Sequence, residues 1–170
     1  MNISLAQVEG KYRRFREVVY RGTEEEEYAA FGVGLHSISV NDALDADEWP
    51  NAKSWSWVQQ LRQYCNDPKR FDVGLSVKGR LCALCIGAPS KAGLSLKLHV
   101  LEGKPDGNPL KGQVLKIILF AAHGYAGMIG ATEVWLCDPI NDDLVSVYER
   151  YGYMAVRDKK NNVTHLKKDT

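Results

Sequence analysis

The apolar positions switch period twice along the second half of the chain, and the switches mark its elements. Phe71–Val77 and Leu81–Ala88 are apolar runs joined by Lys78-Gly79, a two-residue hairpin signal. After a turn at Pro89–Gly93, Leu94–Leu101 alternates at strand period, with Leu94, Leu96, Leu98 and Val100 on one face and Ser95, Lys97, His99 and Leu101 on the other. A Gly/Pro-rich loop, Glu102–Pro109, leads into Leu110–Met128, whose polar positions are Lys111, Gln113, Lys116 and His123. A helix so apolar is buried against a sheet over much of its surface. Glu133–Cys137 reads as a buried strand, Asp142–Tyr151 as an amphipathic helix, and Met154–Arg157 with Val163–Leu166 as a closing hairpin.

The first seventy residues are less regular. Lys11–Tyr20 places Tyr12, Phe15, Val18 and Val19 at helical spacing, and Phe31–Val40 alternates as a strand. The acidic run Glu24–Glu27 reads as a solvated helical turn. Asn41–Asn51 holds four acids and Pro50 and reads as a loop with at most a short helical turn. Ser54–Cys65 carries Trp57, Val58, Leu61 and Tyr64 on one helical stripe, ended by Asn66-Asp67-Pro68. The order requires a parallel strand pair across the Leu110 helix. The expected fold class is α+β (mixed α/β): one central mixed, mostly antiparallel sheet flanked by helices.

Composition narrows the function classes. A chain of 170 residues with a net charge of +1 has no electrostatic footprint for nucleic acid or membrane. It holds no run of the ~20 apolar residues that a membrane span needs. The N-terminal MNISLAQVEGKYRRFREVV has no apolar signal region, so a cytoplasmic location is expected. Cys82 and Cys85 form a CxxC pair, but inside a strand their odd offset sends them to opposite faces, and no second pair completes a zinc set. They read as small core residues, and no metal site is expected.

Two stretches carry candidate chemistry. At the start of the Leu110 helix, free N–H groups, Gly103, Gly107 and Gly112, and the charges of Lys104 and Lys111 suit a phosphate as well as they suit an ordinary connector. Past the Glu133 strand, NDDLVSVYERYGY (Asn141–Tyr153) sets an amphipathic helix with Tyr148 one turn before Gly152-Tyr153. This run, with the loop before it, resembles the acetyl-CoA site of the GNAT N-acetyltransferase superfamily. The resemblance covers Phe71–Leu166. Gly112 matches the last small residue of the family's pyrophosphate signature, whereas Gly107 stands at the Gln/Arg position and Leu110 at the first Gly.

The resemblance implies one acyl-CoA N-acyltransferase domain over residues 1–170, with 1–70 on the acceptor side and 71–170 as the cofactor-binding core. Acetyl-CoA is the implied donor, contacted by Val100, Leu101, Lys111, Gly112, Gln113, Asn141 and Tyr148. Tyr148 is the implied acid for the leaving thiolate, since a phenol with a pKa near ~10 can donate to sulfur. His99 and Glu102 are candidate bases for the acceptor amine, with His36 and Asp72 as weaker options. The acceptor is an amine-bearing small molecule or protein, and a homodimer is compatible. The alternative from another class is a non-catalytic module of the same fold that binds CoA or a protein. The cluster Trp49, Trp55 and Trp57 beside Asp42, Asp45, Asp47 and Glu48 has two readings, a wall for a cationic amine or core tryptophans beside a solvated loop.

Overall fold

The computed structural model describes residues 3–26, 31–51, 53–139 and 141–170; Glu27 of the acidic run lies outside them. Seven strands among the described residues form one sheet: β1 (Val33–His36), β2 (Phe71–Val77), β3 (Arg80–Pro89), β4 (Ser95–Gly103), β5 (Glu133–Cys137), β6 (Met154–Arg157) and β7 (Val163–Asp169). Their order is β1-β2-β3-β4-β5-β7-β6, and only β4–β5 is parallel. The mixed, mostly antiparallel sheet expected from the pattern is therefore present.

One face of the sheet is covered by α1 (Leu5–Glu25), α4 (Val114–Ile129) and α5 (Asp142–Arg150), which bury Val19, Tyr20, Ile117, Ile118, Tyr125, Val145 and Tyr148 against it. The other face is covered over β3 by α2 (Val40–Asp47) and α3 (Trp57–Tyr64), around Ala43, Ala46, Trp49, Trp57, Leu84 and Ile86. α2 lies in the stretch that reads as a loop. Ser39 and Asp42 form a reciprocal capping box there, and Ala43 and Ala46 are fully buried, which outweighs the acidic composition. The strand before it shortens to Val33–His36 because Ser39 has to cap. Ser4 with Gln7 and Ser56 with Gln59 start α1 and α3 in the same way.

Two register shifts change which side chains meet. Between β2 and β3, Leu75 faces Ala83 but Ser76 faces Leu81, so Cys82 is the extra residue. This bulge inverts the parity of the strand. Cys82 and Cys85 then pack into the same core layer instead of opposite faces, both as free thiols, and burial pushes the Cys85 thiol up. Between β3 and β4, Ile86 faces Val100 but Gly87 faces Leu98, leaving His99 as the extra residue. Val100 consequently joins the α2–α3 side, while Leu96 and Leu98 stay on the α4 side. The expected common face of Leu94–Val100 ends at Leu98, and Leu94 itself is exposed.

The second bulge depends on Gly87. A Cβ at that position would lie 2.3 Å from the Lys97 carbonyl oxygen, a backbone atom that moves only with its strand. Gly87→Ala is expected to destabilise the fold by about 1–3 kcal/mol, the usual range for overpacking. The measurement is a urea-denaturation midpoint, and a midpoint equal to the parent's would show that the strands give way freely.

The β1–β2 end is tied to α1 by charge. Arg16 and Asp72, each 1% exposed, approach at 3.6 Å. Arg16 Nη1 donates to the carbonyls of Pro68 and Arg70, and Nη2 to Glu9 Oε1. Asp72 Oδ2 accepts the Ile38 N–H at 2.8 Å, and Tyr20 donates its hydroxyl proton to the Asp72 carbonyl. This partner explains why Arg16 is buried on α1 while Val18, an apolar position of the predicted stripe, is exposed.

Candidate active site

The parallel pairing of β4 and β5 runs from Ser95–Glu133 to Leu98–Leu136 and stops. β4 continues to Gly103 while β5 ends at Cys137, so the strands part at the His99 bulge. Beyond Leu98, the β5 side of β4 has no strand partner among the described residues. Two cavities open there. A groove of about 420 Å³ runs between Leu101, the Lys104–Val114 segment and α5, and a chamber of about 350 Å³ lies under α3 against His99, Cys137 and Asp138. Leu101, Leu144 and Tyr148 line both.

The groove's outer end is the loop before α4. That helix begins at Val114 rather than Leu110, because Gly112 sits at φ +82°, a conformation outside the helical region that favours glycine. Asn108 holds the loop, its Nδ2 donating to the carbonyls of Cys82 and Lys104 and its Oδ1 accepting the Leu110 N–H. The Leu110 carbonyl takes the N–H groups of Gln113 and Val114. Among the described residues, the N–H groups of Gly112 and Leu115 have no acceptor. Both residues line the groove with Lys104 and Lys111, so unpaired donors and two cations face one cavity at a helix start. Gln113 is the α4 N-cap residue and makes no capping bond with its side chain. Gly107 turns at φ +62° and lines a separate hollow behind the loop.

At the shared wall stands Tyr148, on the buried stripe of α5 and only 7% exposed. Burial pushes its phenol up to about 12, with Cys85 adding to the rise. Among the described residues its hydroxyl makes no hydrogen bond, and the oxygen itself is not buried, so the ring is in the core while the hydroxyl is open to the cavity.

His99 reaches the chamber from the bulge, its ring stacked on Tyr64 at 5.3 Å and 18°. Burial lowers its pKa below 6.5 and Lys97 lowers it further, while Asp138 pulls the other way. Val100 lines the chamber and Leu101 both cavities. The other sequence candidates fall elsewhere. Glu102 Oε1 accepts from Lys53 Nζ at 2.8 Å and from the Trp57 indole at 3.1 Å, which commits the carboxylate to the α3 interface. Asn141 is the α5 N-cap, accepting the Leu144 N–H at 2.9 Å, and lines neither cavity. His36 pairs with Asp42 at the β1 edge, and Asp72 is buried beneath α1.

Two of the three tryptophans match the core reading. Trp57 and Trp49 are core, and Asp47 accepts the N–H groups of Trp57 and Val58 at the start of α3. Trp55 lines the chamber. Sequence reasoning missed Tyr64 and Asp138 as chamber residues and Asn108 as the loop's anchor. The Leu-rich alternation hides the bulge, and only Gly87 hints at it. β5 also departs from expectation: its burial alternates, and Trp135 stacks on His165 at 4.0 Å on a half-open face. Among the described residues, no cluster fit to hold a metal is found and no helix is long and apolar enough to cross a membrane.

Solved structures share this layout. Ard1 from Thermoplasma volcanium matches over 82% of this chain and 98% of its own, with a TM-score of 0.65 and 11% identity. The PaiA N-acetyltransferase from Thermoplasma acidophilum, in complex with coenzyme A, matches over 81% and 99%, at 0.59 and 12%. The chain has the GNAT N-acetyltransferase fold. The ribosomal-protein-S18-alanine N-acetyltransferase from Escherichia coli adds a match over 79% and 90%, at 0.55 and 14%. No family model matches the sequence, and no curated relative does. Within the GNAT fold, this chain parts β4 from β5 and sets Tyr148 on the wall between the two cavities.

Proposed function

We propose that the chain is an N-acyltransferase that moves an acetyl group from acetyl-CoA to an amine by direct attack. The observation that carries this reading is Tyr148, whose ring is buried and whose unpartnered hydroxyl is open at the wall between two cavities. The structures of similar fold include N-acetyltransferases, one of them with coenzyme A. The groove receives the donor: Gly112 and Leu115 N–H groups with Lys104 and Lys111 take the pyrophosphate, and Leu101, Leu144 and Val147 take the apolar part of the arm. The acetyl carbonyl accepts from the β4 backbone at Val100–Leu101, where no strand competes for the donors.

The acceptor comes from the chamber side, where α3 and its approach contribute Trp55, Gln60, Gln63 and Tyr64. Residues 1–70 thus supply one wall of the acceptor side, and 71–170 supply the donor side and the rest of the chamber, in one domain. The amine nitrogen bonds to the acyl carbon, the carbon–sulfur bond breaks, and Tyr148 gives its proton to sulfur. His99, neutral at pH 7 because burial lowers its pKa, accepts the proton that the amine loses.

Acetyl-CoA at ~100 times its dissociation constant should stabilise the fold by about 2.7 kcal/mol. For a chain of this size that raises Tm by roughly 5–11 °C. Thermal denaturation with and without acetyl-CoA reads the effect directly. No shift with acetyl-CoA or any other short acyl-CoA sinks the donor assignment.

A further inference from the structure

Among the described residues, Asp138 is the one carboxylate that lines the chamber, and it is exposed. Asp138 follows β5 with φ +48°, a conformation uncommon for a residue with a side chain, and its N–H donates to the Thr164 carbonyl at 3.2 Å. Its carboxylate has no ion pair or hydrogen bond among the described residues. Asp142 and Asp143 on the first turn of α5 are exposed and line neither cavity, and three further acids are paired. Glu102 is held by Lys53 and Trp57, Asp47 by the α3 N–H groups, and Glu133 by Lys167 and the Trp135 indole.

We propose that Asp138 is the acceptor-binding residue, receiving the ammonium form of a compact primary monoamine with an apolar or aromatic body and holding it beside His99. The proposal rests on the acyltransfer reading above. A chamber of about 350 Å³ is at the small end of ligand sites. Its walls, Trp55, Tyr64 and Leu144, suit an apolar body. A second ammonium group would find no second acid, and it would meet Lys53, whose Nζ lies 4.9 Å from the Trp55 ring centre. The proton count closes. Asp138 docks R–NH3+, His99 takes one proton and passes it to solvent, and Tyr148 protonates the departing sulfur. The amine's second proton returns to Tyr148 by way of water.

The charged and titratable groups facing His99 are Lys97 on its own strand, Tyr64 from α3, Cys137 and Asp138 at the end of β5, and Tyr148 from α5. Burial and Lys97 lower His99, and Asp138 alone raises it. Asp138→Asn therefore moves the His99 titration, followed by NMR, to lower pH, and the acid limb of kcat/KM moves down with it. The same variant raises KM for phenethylamine by roughly tenfold or more, as loss of a hydrogen bond to a charged group does. Its kcat falls less, its acetyl-CoA dissociation constant stays, and Asp138→Glu recovers part of the loss. An unchanged KM with an unchanged His99 midpoint would overturn the proposal, as would a higher kcat/KM for spermidine than for phenethylamine. Acetyl-CoA binding by the parent chain, measured by calorimetry, tests the donor assignment separately, and the NMR titration needs no turnover.

Discussion

Phenylalanine in place of Tyr148 is expected to lower kcat by roughly 10²–10⁴-fold, the range for a lost general acid. Acetyl-CoA binding should stay nearly unchanged. The substitution is unusually clean because the hydroxyl makes no hydrogen bond that the fold would miss. The ring remains in the core layer with Val145, Leu144 and Cys85. A phenol raised to about 12 is protonated at neutral pH, and the same rise makes it a weaker acid than a free tyrosine. A raised value also makes the phenolate quick to recover a proton from water. The readout is CoA thiol release, followed with a thiol reagent at saturating acetyl-CoA and amine. An unchanged kcat removes Tyr148 from the acid role and leaves orientation and carbonyl polarisation as the whole of the catalysis.

The second large effect concerns stability. Asp72→Ala is expected to destabilise the fold by about 3–5 kcal/mol, as removal of one partner from a buried ion pair does. Arg16, 1% exposed, would keep its charge without the carboxylate, and the Ile38 N–H would lose its acceptor. A domain holds only about 5–15 kcal/mol in total, so a large share of the stability goes with one side chain. Urea denaturation of the variant measures it. A loss within the ~0.5 kcal/mol of an ordinary surface substitution would mean that Glu9, 2.9 Å from Arg16 and 3.5 Å from Arg70, balances both cations alone. Since this cluster joins α1 to β2 and lies away from the groove, the variant should keep its acetyl-CoA dissociation constant wherever it stays folded.

How much was legible beforehand follows from the range of each interaction. Apolar period and turn residues act within a few neighbours, so β2, β3, β4, β5 and the two C-terminal helices were readable from Phe71 onward. Capping chemistry is equally local, and the Ser39–Asp42 box was present in the sequence to reveal α2, outweighed by the acids around it. The bulges were not readable. They depend on how two strands align, and Gly87 is legible as a requirement only once the Lys97 carbonyl lies against it.

The candidate site divides the same way. Tyr148 stood out because the Asn141–Tyr153 run resembles the GNAT cofactor site, and the parted strands set it between two cavities. Glu102 and His99 looked alike in sequence, two polar residues near the end of one strand. Burial separated them: Glu102 met Lys53 and Trp57 across the α3 interface, while His99 was displaced by the bulge into the chamber. The sequence by itself determined the fold class, the order of its elements, the helix that carries Tyr148 and the glycine loop before α4. Tertiary structure alone decided which side chains face the gap between β4 and β5, because strand register and ion pairing join residues far apart in the chain, where no local pattern reaches.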